Sequence, residues 1–185
     1  NRGYLRQILP DESGDAALKA DRIIGVFRQP TFIDKQIKMF VAVKSGAAYQ
    51  LYTYTYEQKA SGSDIITCVG KKDITSWAGG MSDDCKMFTN GVEVPLNYLY
   101  IAKGNDLWRT SYESQADPKA VKSFPAPITA AEVVISTPNT ISENTKELYT
   151  AIFTYDTSTK SSKMYVLDAR TDDLKAYSEV ETAIP

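Results

Sequence analysis

The chain has 185 residues, a formal net charge of −2 and no histidine. Its 43% hydrophobic content excludes a disordered chain, and its length allows a sizeable core. The lack of histidine excludes Ser-His-Asp and Cys-His centres, histidine-containing zinc sites and imidazole acid–base catalysis. Basic residues are dispersed among acidic ones, which argues against nucleic-acid binding. No segment approaches the ~20 apolar residues of a membrane-spanning helix.

The first third of the chain predicts one antiparallel meander. In residues 51–56, Tyr52, Tyr54 and Tyr56 alternate with other residues, so the three tyrosines should share one face of a strand. Tyrosine is the most abundant aromatic residue, with 12 copies, and suits strands with one buried and one wet face because its hydroxyl stays solvated. The strands predicted for this meander are 22–28, the hairpin 37–56, and 64–69, and a further possible strand at 4–9 would be the tail of a preceding module.

Residues 70–90 show neither the strand nor the helix period and predict a long loop or a short helix. Trp77 lies there beside Gly79 and Gly80 and close to Asp83 and Asp84. An aromatic platform flanked by carboxylates is a common arrangement in sugar or peptide sites, so Trp77, Asp83 and Asp84 are the predicted ligand-binding residues. In the alternative interpretation, which we favour for Trp77, the ring fills the gap between adjacent modules.

The rest of the chain predicts two further four-stranded modules. Each contains aromatic and β-branched runs separated by polar turns. The strands of the second module are 86–88, 96–103, 106–112 and 121–124. The strands of the third are 132–136, 147–156, 163–169 and 174–180.

One strand-turn-strand pattern recurs at 38–54, 98–110 and 163–177. Such a unit cannot bury its apolar face alone, so its repetition predicts stacked modules. We therefore predict an all-β fold, a partial β-propeller-like array of four-stranded antiparallel blades, with a β-sandwich or jelly roll as the alternative. The blades are placed at 22–69, 86–124 and 132–180, within a single β-repeat domain or a fragment of a larger propeller spanning 1–185.

Other residues carry weaker chemical signals. Asp172 and Asp173 fall in a predicted hairpin turn, where Asp is favoured for backbone reasons, and adjacent carboxylates make a poor calcium cage. Ser-Lys pairs in turns lack any surrounding catalytic signature. Cys68 and Cys85 are too few for a Cys₄ zinc site and allow at most one disulfide. We predict no cofactor and no metal site.

The strands 147–153, 163–168 and 174–177, with their tyrosines and Lys/Asp/Ser/Thr loops, resemble blades of surface lipoproteins of Bacteroidetes. In particular, they resemble the PKD-like propeller lipoproteins encoded beside Sus-type outer-membrane importers. The resemblance covers about 22–180. It implies an exported protein at the cell surface or outer membrane, with its lipid anchor outside this chain, and an importer or other surface proteins as partners.

Three functions are compatible with the sequence. The leading hypothesis is a non-enzymatic binding or accessory module that captures a glycan or peptide nutrient beside an outer-membrane importer. The alternatives are a carboxylate-based glycan-degrading propeller enzyme and a purely structural scaffold segment. Binding predicts an exposed cleft without a buried, pKa-shifted pair of acids, whereas catalysis predicts that pair.

Overall fold

The computed structural model is built from antiparallel β-sheets. It describes residues 9–14, 16–28, 37–57, 65–89, 98–111, 114–136 and 147–180. In this described part, twelve strands form three separate four-stranded sheets, and the sole helical element is a 3-10 turn at Trp77–Gly79. The predicted all-β class is confirmed. No helix of the described residues has the length and apolar character needed to cross a bilayer.

The first sheet is a meander in which each strand pairs with the next one in the chain. The turn between the second and third strands contains Gly46, whose φ of 61° is accessible to glycine without a steric penalty. The fourth strand pairs residues 70–73 with 50–53, so the predicted loop begins only after Asp73. The strands are β1 (Arg22–Arg28), β2 (Ile37–Ser45), β3 (Ala48–Glu57) and β4 (Ile65–Asp73).

One face of this first sheet confirms the predicted alternation of tyrosines. Tyr52 and Tyr54 are buried on the same face, with their rings stacked at 6.2 Å between centroids. They form a core with Val41 and Val43 of β2. The expectation of solvated hydroxyls is wrong for Tyr54, because its hydroxyl donates a 2.9 Å hydrogen bond to the Pro10 carbonyl. A buried phenol needs such an acceptor in place of water.

The second and third sheets are also meanders. The second contains β5 (Lys86–Thr89), β6 (Tyr98–Lys103), β7 (Asp106–Ser111) and β8 (Lys119–Ser123). The third contains β9 (Ile128–Ser136), β10 (Glu147–Asp156), β11 (Ser161–Asp168) and β12 (Leu174–Val180).

The three sheets thus extend over 22–73, 86–123 and 128–180, whereas the predicted blades were 22–69, 86–124 and 132–180. The chain divides into two compact units, Asn1–Met81 and Ser82–Pro185. The second unit therefore holds the second and third sheets. Most of the predicted strand 4–9 lies outside the described residues.

A single apolar core joins the two sheets of the second unit. The second sheet contributes Tyr100, Ala102 and Leu107 to it. The third sheet contributes Ile128, Ile152, Tyr165 and Leu167, and the connection between the sheets adds Phe124. The rings of Phe124 and Tyr165 lie 4.8 Å apart. This shared core holds the second and third sheets against each other. A polar cleft lies between residues of these two sheets.

Candidate functional site

Trp77, a predicted ligand platform, is buried within the first unit. Its side chain is 1% exposed, and the 3-10 turn that carries it is fixed by a hydrogen bond from the Trp77 N–H to the Ile74 carbonyl. The Lys72 ammonium lies 5.9 Å from the centroid of its ring. The indole Nε1 has no acceptor among the described residues. The ring is thus buried, as the packing interpretation expects, and it has no open face for a sugar.

Asp83 and Asp84, the predicted carboxylate flanks, lie at the start of the second unit and are exposed. The Ser82 hydroxyl donates to Asp84 Oδ1 at 2.5 Å, and this bond holds the pKa of Asp84 below its usual value. A carboxylate that accepts a hydrogen bond within its own turn stabilises that turn. Asp84 therefore has a local structural role here.

Both cysteines are free thiols in this structure. Cys68 lies on β4 and is half-buried, and its thiol contacts the Gly70 carbonyl at 3.6 Å. Cys85 is buried, and its sulfur accepts a 3.4 Å bond from the Ser82 N–H. The one disulfide that the sequence allowed is not formed.

A polar cleft of about 420 Å³ lies between the second and third sheets. Arg109 of β7 and Lys119 and Lys122 of β8 line its first wall, and the turn between β11 and β12 lines the other with Thr171, Asp172 and Asp173. A volume of this order is typical of small-molecule sites. In a sequence whose basic and acidic residues are so evenly dispersed, this concentration of charge in one concavity marks a candidate site.

Asp172 connects the two walls of the cleft. It is only 8% exposed, and its Oδ1 accepts a 2.6 Å hydrogen bond from the buried Tyr100 hydroxyl. Its Oδ2 accepts a bond from Arg109 Nη1. The Arg109 guanidinium also stacks over the Tyr98 ring, 4.3 Å from its centroid. These contacts hold Arg109 in one position at the edge of the cleft, so its placement does not depend on a ligand.

The turn that presents Asp172 has an unusual backbone. Asp172 has a φ of 62°, in the left-handed region that Asp tolerates better than most residues. Its N–H donates to the Asp168 carbonyl at 2.8 Å, and the Asp168 N–H donates to the Asp173 carbonyl at the same distance. The hairpin turn predicted here is confirmed, and this tight turn directs the Asp172 side chain toward the second sheet.

A β-bulge brings the two lysines to the same wall. In a regular strand, residues three apart point to opposite faces. Here Leu107 pairs with Lys122 while Trp108 pairs with Ala120, which leaves Val121 as the extra residue. The extra residue interrupts the alternation by one position, so Lys119 and Lys122 lie on the same face as Arg109.

The electrostatics of the cleft favour a ligand that is at least partly negative. The ion pair between Arg109 and Asp172 is internally balanced, which leaves Lys119 and Lys122 against Asp173. Neither lysine has an ion-pair partner in the part of the chain that the structure describes. A local excess of positive charge in a chain of net charge −2 attracts anionic groups to that point.

Burial perturbs both acidic groups at the back of the cleft. Desolvation raises the pKa of Asp172 above its usual value, although the bonds from Tyr100 and Arg109 act in the opposite direction. Desolvation, followed by the bond to Asp172, also raises the pKa of the Tyr100 hydroxyl. Tyr100 therefore remains a neutral donor at physiological pH.

A second concavity, of about 440 Å³, lies in the first unit and is apolar. Val26, Met39, Tyr56 and Ile66 contribute to its lining, and Arg28 is its one charged residue among those described. Val26 of β1 is 57% exposed beside it. Because it offers few groups that form directional hydrogen bonds, this groove suits a hydrophilic ligand less well than the polar cleft does.

Sequence reasoning missed the residues of the polar cleft. It assigned Asp172 to its turn alone and gave no role to Arg109, Lys119 or Lys122. The partners of Asp172 are 72 and 63 positions away in the chain, for Tyr100 and Arg109 respectively. No local motif could have connected them. Among the described residues, no group of three or more acidic or cysteine side chains is placed to hold a metal ion.

Comparisons with known proteins do not assign this chain to a family. No family model and no curated protein matches it. Among solved structures, it is similar to an ACO/RPE65 chimera, with 17% identity over 88% of this chain and 38% of that chain, at a TM-score of 0.46. It is also similar to a Synechocystis ACO mutant, with 17% identity over 85% and 37% of the two chains, at a TM-score of 0.44. The chain spans less than two fifths of these structures, and similarity at this level supports no function.

Proposed function

We propose that this chain is a non-enzymatic binding module that holds a hydrophilic ligand, a glycan or a peptide, in the polar cleft of its second unit. The observation that carries the proposal is the fixed Arg109, which Asp172 and Tyr98 hold in place beside two lysines. Positioning of this kind lowers the entropic cost of binding. The polar character of the lining supports a ligand that forms many hydrogen bonds.

The acid groups support binding rather than glycan cleavage. A carboxylate-based glycosidase needs two acids on either side of the bond that it cleaves. Asp172 is buried, and both of its oxygens are engaged by Tyr100 and Arg109. Its neighbour Asp173 is exposed. This arrangement supplies one structural acid and one surface acid.

We also propose that the three sheets are blades of a β-propeller and that the protein works at the cell surface beside an outer-membrane importer. The consecutive strand order in every sheet supports the blade interpretation, since propeller blades are four-stranded sheets of this kind. Typical rings have about 4–8 blades, so further blades would come from elsewhere in the parent protein. The surface location and the partner rest on the resemblance to Bacteroidetes lipoproteins. Antibody labelling of intact cells and importer pull-downs test them.

Panels of immobilised glycans and of peptides test the binding proposal. The wild-type chain is compared with the double variant Lys119→Glu/Lys122→Glu, in which the charge of one wall is reversed. We expect capture of one ligand class by the wild type, its loss in the variant, and recovery of the ligand intact after prolonged incubation. Cleaved ligand would refute the non-enzymatic assignment. Equal capture by a folded variant would refute the site.

A further inference from the structure

The polar cleft has the chemistry of a site for an acidic sugar. We propose that it accepts a saccharide unit bearing a carboxylate, a uronic acid, an inference that rests on the binding function proposed above. Lys119, Lys122 and Arg109 form the cationic wall, and Asp173 with Thr171 forms the opposite one. A uronic acid carries both complements in one ring, a carboxylate for the cations and hydroxyl donors for the acceptors.

The lining argues against a neutral sugar. Neutral sugars are often bound against an aromatic ring, but the described lining of this cleft contains none, its other members being Asp172, Ala120, Val121 and Leu174. Tyr98 is stacked with Arg109 and does not line the cleft. Binding energy must therefore come from hydrogen bonds, and those to charged groups are the strongest.

The same lining favours a sugar over a peptide. Many peptide sites depend on pockets for apolar side chains. The cleft offers only small aliphatic surfaces. Its volume of about 420 Å³ is near the lower end of the range for small-molecule sites, which suits a short saccharide.

Four monosaccharides test the inference with the smallest possible chemical difference. Galacturonate and glucuronate are compared with galactose and glucose, which carry a CH₂OH group where the uronates carry the carboxylate. Each is titrated into ¹⁵N-labelled protein while the backbone amides of 119–122 and 171–174 are followed. We expect both uronates to shift these amides with an affinity at least about tenfold higher than that of the hexoses. We also expect the uronate affinity to fall as salt is raised.

Substitutions in the cleft and two further probe molecules supply the results that would contradict the inference. Lys119→Gln/Lys122→Gln should lower uronate affinity about tenfold. Lys19→Gln is the control, because Lys19 is exposed and does not line the cleft, and this variant should bind uronate as the wild type does. Equal binding of uronates and hexoses, or no shift by either at tens of millimolar, overturns the inference. So does equal binding of acetate, or tighter binding of an acetylated and amidated aspartate. The glycan and peptide panels judge the broader binding proposal independently of these results.

Discussion

Replacing Asp172 with alanine should lower the free energy of unfolding by about 2–4 kcal/mol. The buried Tyr100 hydroxyl would lose its acceptor, at a cost of about 1–3 kcal/mol. Arg109 would lose its partner at a cost of at most about 1 kcal/mol, since its side chain is 29% exposed and can reach water. Alanine at a φ of 62° adds about 1–2 kcal/mol. Removing a buried charge offsets part of these costs.

Asp172→Asn separates the charge of this residue from its other roles. Asparagine tolerates the left-handed backbone and keeps an oxygen that can accept from Tyr100. Asparagine also lacks the negative charge of the carboxylate, which burial disfavours. We therefore expect a change within about 1 kcal/mol of the wild type. Asp173→Ala, an exposed neighbour in the same turn, is the matched control and should change stability by less than about 0.5 kcal/mol.

Urea unfolding followed by circular dichroism measures all of these variants, provided that the slopes with denaturant agree. A double-mutant cycle with Tyr100→Phe should give a coupling energy of at least about 0.5 kcal/mol between Tyr100 and Asp172. Two results would refute the reasoning. One is Asp172→Asn as destabilising as Asp172→Ala, which would mean that the carboxylate charge itself, and not the hydrogen-bond acceptor or the backbone, stabilises the fold. The other is a coupling energy of zero.

Three further predictions follow from burial. Trp77→Ala should lower the free energy of unfolding of its unit by about 3–5 kcal/mol in urea titrations, since the ring is 1% exposed, and a loss below about 1 kcal/mol would contradict its buried position. Burial raises the pKa of Asp172, so the folded chain takes up this proton before the unfolded chain does. The free energy of unfolding of the wild type relative to Asp172→Asn should therefore rise as pH falls from neutrality toward 3.8. A difference between the two proteins that shrinks over this range would contradict the prediction. Finally, thiol labelling of the folded chain without reductant should modify Cys68 faster than the buried Cys85. After denaturation, both cysteines should be labelled. A change of mass on reduction would instead reveal a disulfide.

The strands were predictable from the sequence where alternation and turn residues agree. β10 and β12 have the predicted bounds because polar turn residues precede or follow each apolar run. β4 continues four residues past its predicted end, through Gly70 and two lysines. These residue types carry weak strand propensity, and their pairing with β3 decides their conformation.

The cleft was not predictable from the sequence for two physical reasons. Its ion pair joins residues far apart in the chain, and only the packing of two sheets brings them together. The common face of Lys119 and Lys122 depends on a bulge at Val121, whereas alternation alone would have placed the two lysines on opposite faces. Trp77 shows the converse, because the sequence of its loop allowed both a binding and a packing interpretation, and its ring is buried.

The nearest-neighbour order of the strands also bears on how the chain reaches its fold. Each sheet is completed by a continuous segment, and the turns at Gly46 and Gly104 join strands in direct sequence. Most pairings therefore close short loops, whose entropic cost is small. β-proteins fold slowly when their pairings are distant in sequence, and this topology avoids much of that delay. Each sheet could form its hairpins as soon as its own segment leaves the ribosome, before the segments that follow it are made.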